Sequence, residues 1–172
     1  EAASDSYKTY AHNVRDNARA LADACIKLGM KVQTGGTDNH LLLIDVSPYG
    51  LTGRQAENAL FECGVTLNRN TLPFDPQGPW WTSGIRVGTP AVTTLGMGTA
   101  EMSEIASILD TALKAAKPGL TKDGKPTKGK VVLDGTAKAE VQNRVSKLLG
   151  RFVLYPELDL DFLKKHFSNR SE

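Results

Sequence analysis

Apolar residues recur at three- and four-residue steps from Tyr7 through Tyr10, Ala11, Val14, Ala18, Leu21, Ala22 and Cys25 to Leu28. That spacing draws one apolar stripe along a long helix, and Gly29 follows as its natural stop. Residues 30–33 read as a short strand leading into Thr34-Gly35-Gly36-Thr37-Asp38-Asn39, a turn by composition. Leu41-Leu42-Leu43-Ile44-Asp45-Val46 is apolar nearly throughout and predicts a buried central strand. Thr52 and Gln55 make a capping-box pattern. The helix it opens carries Ala56, Ala59, Leu60 and Cys63 and ends at Gly64. Val65-Thr66-Leu67 predicts a brief extended segment. Residues 85–94 contain another strand, whose ladder Pro90 limits. Gly96, Gly98 and Thr99 lead into a helix with Met102, Ile105, Ala106, Ile108, Leu109, Ala112 and Leu113 on one side. Glu101 and Glu104 lie near its start, where the helix dipole favours them. Ala139, Val141, Val145, Leu148 and Leu149 mark a further helix. Another follows Tyr155-Pro156, with Leu160, Phe162 and Leu163.

This order of elements predicts an α+β fold, a small, mostly antiparallel sheet packed with helices on one face. The chain divides into a linking helix (1–28), a core (29–116), a Lys/Gly/Pro insertion (117–130) and C-terminal helices (131–172). In the insertion, lysines 117, 122, 125, 128 and 130 alternate with prolines and glycines. That texture predicts a solvated, flexible loop.

At 172 residues the chain can build one real core. A net charge of +2 is too small to argue for nucleic acid or an acidic membrane surface. No apolar run approaches the roughly 20 residues of a membrane helix. Cys25 and Cys63 are far apart, without metal-type spacing, and read as small buried side chains. Two reduced thiols fit a cytoplasmic protein. The first residue is Glu, and a helix starts almost at once, so the chain is expected to be a piece of something longer.

The most informative chemistry lies in Asn68-Arg69-Asn70-Thr71-Leu72-Pro73-Phe74-Asp75-Pro76 and Thr82-Ser83-Gly84-Ile85-Arg86-Val87-Gly88-Thr89-Pro90-Ala91. Arg86 sits alone on a strand otherwise made for burial. Its rigid fork of donors matches a carboxylate. It calls either for a ligand acid or for a structural partner such as Asp45 or Asp75. The small neighbours Ser83, Gly84 and Gly88 leave room for close approach and favour the ligand. Pro73, Pro76 and Pro79 stiffen the preceding loop, and Trp80 and Trp81 add flat surface. These residues suit either a wall for a planar heterocycle or a clamp over the core. His12 and His166 read as surface residues and His40 as structural. None has a Ser or Cys partner at a recognised spacing.

These segments, together with Gly35-Gly36-Thr37-Asp38-Asn39-His40 and Leu51-Thr52-Gly53, closely resemble serine hydroxymethyltransferase. The match runs in register from about Tyr7 to Leu113, then more loosely to Tyr155-Pro156. The resemblance implies the C-terminal domain of a fold-type I pyridoxal-phosphate transferase that interconverts serine and glycine and passes a one-carbon unit to tetrahydrofolate. It implies a cytoplasmic homodimer or higher assembly. It places the cofactor lysine upstream, in a part that would partner this one, so the chain by itself is expected to be catalytically silent. By position, Arg86 matches the clamp on the amino-acid carboxylate. Asn70 matches a pteridine contact, and Gly78, Pro79 and Trp80 match a tripeptide lining the folate site. The family often has Ser-Pro-Phe at that tripeptide; here it is Gly-Pro-Trp. That departure leaves room for one alternative, a transaldolase- or threonine-aldolase-like relative that uses an aldehyde in place of folate. A second, a non-catalytic binding or dimerisation module, is favoured only by the chain being a piece of something longer.

Overall fold

Helix α1 (Asp5–Lys27) begins where the Ser4 hydroxyl accepts the Tyr7 N–H, with Asp5 in its first turn and Lys27 in its last. It ends at Gly29, whose φ of +83° lets the Met30 N–H return to the Cys25 carbonyl. The computed structural model describes residues 1–167. The predicted stripe is buried from Val14 to Cys25, while Tyr7 and Ala11 at its start and Leu28 at its end stay exposed. Asn17, absent from the apolar pattern, is buried as well. Its amide donates to Thr93 Oγ1 at 2.8 Å and to the Met97 carbonyl at 2.9 Å, so its burial leaves these donors satisfied.

Strands β1 (Lys31–Val32), β2 (Leu41–Asp45), β3 (Asn68–Asn70) and β4 (Gly84–Gly88) form one sheet in the order β1-β2-β4-β3. Every neighbouring pair is antiparallel, with Leu42 opposite Val87, Ile44 opposite Ile85, and Leu43 and Asn68 both opposite Arg86. Because side chains alternate, Leu42, Ile44, Ile85 and Val87 share the buried face. Leu43, Asn68, Asn70 and Arg86 share the other.

Helix α2 (Gly53–Glu62) opens on the expected capping box: Thr52 Oγ1 accepts the Gln55 N–H at 3.2 Å, and Gln55 Oε1 accepts the Thr52 N–H at 2.9 Å. With α1 and α5 (Thr99–Ala115) it covers the inner sheet face. Leu21, Leu42, Ile44, Leu60, Ile85, Met102, Leu109 and Leu113 meet there, each at most 2% exposed. Burying one such side chain contributes roughly 1.5–3 kcal/mol. Cys25 and Cys63 are buried free thiols in the same core. Two short helices, α3 (Gly78–Trp81) and α4 (Pro90–Thr94), flank β4, and α6 (Gly135–Leu149) and α7 (Leu160–Phe167) close the described chain.

Three local expectations differ from the structure. Residues 91–94 are helical because Pro90, which cannot donate to a ladder, has the φ of a first helical turn. The edge strand is Asn68–Asn70, not 65–67. The expected irregular loop at 117–130 is a β-hairpin, β5 (Ala116–Leu120) and β6 (Pro126–Leu133), closed by Gly124 at φ +77°. Its burial alternates strictly along β6: Thr127, Gly129, Val131 and Leu133 turn inward, and Lys128, Lys130 and Val132 turn out.

Candidate functional site

The loop between β3 and α3 is organised by one carboxylate. Asp75 Oδ2 accepts the N–H groups of Leu72 (3.1 Å) and Ser83 (2.7 Å), and Oδ1 accepts the Gln77 N–H (2.9 Å) and the Ser83 hydroxyl (2.7 Å). Burial alone would raise the pKa of Asp75. The bonds from Gln77, Ser83 and Leu72 outweigh it and hold the acid below the usual carboxylate range. The anchored loop then turns through Phe74 at φ +58°, a fully exposed side chain.

Gly84 plays a different part from the one expected. A Cβ there would come 2.5 Å from Leu72 Cδ2 and 3.0 Å from the Asn70 carbonyl. The missing side chain therefore makes room for Leu72 of the loop, not for a ligand. Gly88 has only ordinary contacts around it.

Arg86 stands exposed on the outer sheet face. It has no ion pair or hydrogen bond among the described residues. Both acids that might have held it are engaged elsewhere. Asp45 takes Lys31 Nζ at 2.7 Å and the Ser47 N–H at 2.9 Å, and Asp75 serves the loop. Arg86 lines no described cavity, and its guanidinium lies on the open surface of the sheet.

Asn70 lies opposite Gly84, two residues along β4 from Arg86 and on the same face. Its side-chain amide donates to the Thr71 carbonyl at 2.7 Å. With Glu57, Asn68, Arg69, Thr71, Pro79 and Thr82 it lines an open cavity of about 410 Å³. Asn70 and Pro79 are thus brought together, with Arg86 on the neighbouring open surface. Gly78 starts α3 at φ +69°, and Trp80 is 60% exposed beside the cavity.

Several contributors escaped the sequence reading. Arg69, ion-paired to Glu57, places its guanidinium carbon 5.8 Å from the Trp80 ring centroid. Arg54 lies 5.1 Å from the same ring and 5.5 Å from that of Trp81. Those are cation–π distances. The available clue was the pairing of tandem tryptophans with an arginine in the first turn of the capped helix.

The three histidines keep apart from this surface chemistry. His12 and His40 are exposed, and the His40 main-chain carbonyl accepts the Thr89 N–H at 3.0 Å. His166 stacks on Phe162. Among the described residues no helix is long and apolar enough to cross a membrane.

The small antiparallel sheet under three helices, with Arg86 on its outer face, is the α+β architecture expected of the C-terminal domain of a fold-type I enzyme. The family model for serine hydroxymethyltransferase matches residues 1–109. Curated proteins of that name are 62% identical over 99% of this chain in Treponema pallidum and 51% over 93% in Salinispora tropica. The one in Chlamydia muridarum is 47% identical over 95% of it. The chain belongs to the serine hydroxymethyltransferase family. It spans about a third of the length of these relatives (30%, 34% and 33%), within their C-terminal part.

Proposed function

We propose that this chain is the substrate-carboxylate- and folate-binding part of a serine hydroxymethyltransferase, which interconverts serine and glycine and passes a one-carbon unit to tetrahydrofolate. The observation that carries the reading is Arg86, a lone guanidinium with no acid partner among the described residues, exposed on the outer face of the sheet. A bidentate grip on the substrate carboxylate fixes the direction of the bonds at Cα and so selects which one reacts. Asn70 and the Gly78-Pro79-Trp80 turn form the adjoining wall. There an amide and a flat ring suit the polar edge and the face of a pterin.

The cofactor implied by the family is pyridoxal 5′-phosphate, an electron sink for the bonds at Cα. The described residues do not fit its anchor. A lysine that forms a Schiff base needs a desolvated amine, and no lysine among them is buried. These residues are therefore assigned to substrate, and the remaining two-thirds of the enzyme is the partner that brings the cofactor. A cytoplasmic homodimer or larger assembly belongs to the same reading.

The test uses the complete enzyme. Wild type should form glycine from serine only with tetrahydrofolate present; folate-independent turnover alone would favour the aldolase-like reading. Arg86→Lys keeps the charge but loses the fork, and should raise the KM for serine by about tenfold or more. Glycine and serine affinities unchanged in that variant would defeat the assignment.

A further inference from the structure

We propose that Arg54, braced by the hairpin of β5 and β6, is a positioning residue for the folate wall. This rests on the reading of Gly78-Pro79-Trp80 as that wall. Helix α3 has four residues, too few for a helix to hold itself, so its orientation must come from its neighbours. Arg54 supplies one. Its guanidinium carbon sits 5.1 Å from the Trp80 ring centroid and 5.5 Å from that of Trp81. Among the described residues it has no carboxylate partner, so the two rings are what it engages.

The first turn of α2 is the hub that holds Arg54 in place. On one side, Thr52 Oγ1 donates to the Lys128 carbonyl at 2.7 Å, and Gln55 Nε2 donates to the carbonyls of Thr127 (2.7 Å) and Lys130 (2.8 Å). The residues that cap α2 thus also fasten β6 to it. On the other side, the Gly53 N–H donates to the Thr82 carbonyl at 2.9 Å, where a Cβ would collide with Thr82 and Gly84. Between them Gly129 of β6 rests on Trp81. A Cβ at residue 129 would lie 3.0 Å from Trp81 Cζ3 and 3.9 Å from Arg54 Nε. Hairpin, Arg54 and the tandem tryptophans therefore form one stack, and its outer layer is the exposed face of Trp80. The hairpin sets where that face stands relative to Asn70, while Arg86, on β4, takes no part in the stack.

The separation gives a kinetic test in the complete enzyme. Arg54→Ala should raise the KM for tetrahydrofolate by about tenfold, the loss expected for two aromatic contacts, and leave the KM for serine within about twofold. Arg54→Lys, still a cation over the rings, should recover most of the loss. Gly129→Ala presses on Trp81 from the hairpin side and should raise the same constant even if Arg54→Ala fails to fold. Serine and folate constants that rise together, or a folate constant unmoved in both Arg54→Ala and Gly129→Ala, would overturn the proposal while wild type still turns over with folate. A wild-type enzyme without folate-dependent turnover would overturn the folate reading and this proposal with it.

Discussion

Asp75 offers the sharpest test of how the site loop is built. Its two oxygens serve four donors, of which the Ser83 N–H and hydroxyl belong to a residue only 5% exposed. Asp75→Ala leaves those donors without a protein acceptor. An ordinary hydrogen bond contributes about 1 kcal/mol net, and a buried donor left unmade costs about 1–3 kcal/mol. The variant should lose about 3 kcal/mol in urea unfolding of this chain, at an unchanged denaturant slope. Asp75→Asn keeps one acceptor oxygen, and its NH₂ can donate to a rotated Ser83 hydroxyl. Only the Gln77 N–H then lacks an acceptor, and the loss should be about 1–2 kcal/mol.

The acid limb follows from the same bonds. Asp75 has a folded-state pKa below its unfolded value of about 3.9. Its contribution is therefore complete above the unfolded value and disappears as pH falls through the folded one. Asp45 shifts the same way: burial pushes it up, but the bonds from Lys31 and Ser47 prevail. Wild type should lose stability steeply below about pH 4, and Asp75→Asn should lose less over that interval, having no proton to take up there. A variant within 0.5 kcal/mol of wild type at neutral pH, or parallel acid limbs for the two proteins, would refute the account of Asp75 as the loop's anchor.

Gly84→Ala should cost about 1–3 kcal/mol by pushing Leu72 out of its seat, and the measurement is again urea unfolding; a neutral result would mean the loop repacks freely. Burial, with the negative Asp110 nearby, pushes the Cys25 thiol up to about 12, so iodoacetamide at pH 8 should modify Cys25 only after denaturation, as peptide mass mapping would show. Thr52→Ala removes both the α2 cap and a bond to the hairpin, and should cost about 1–2 kcal/mol with faster amide exchange along β6.

What could be read from the sequence divides by the distance over which each signal acts. The capping box at Thr52 and Gln55 and the stops at Gly29 and Gly64 are settled within a few residues, and the structure has all of them. Arg86 was legible as a misfit, since a charge on a strand built of Ile85 and Val87 needs an outward face or a partner. What failed needed a second segment. Gly84 looked like room for a ligand because Leu72, twelve positions earlier, gave no sign of returning to fill it. The 127–133 strand carries a period-two pattern in plain view, Thr-Lys-Gly-Lys-Val-Val-Leu, but its inner positions include Thr127 and Gly129, which no hydrophobicity count marks as buried. Gly129 is small because Trp81 lies against it, 48 positions away, and Arg54 is aromatic-bound because the capped helix begins beside that ring. The same logic explains why Arg86 stands exposed. Its local sequence specifies the strand and the direction it points, and no acid among the described residues pairs with it. Asp45 and Asp75, each engaged by its own donors, leave the guanidinium free, which the proposed grip on a substrate carboxylate requires.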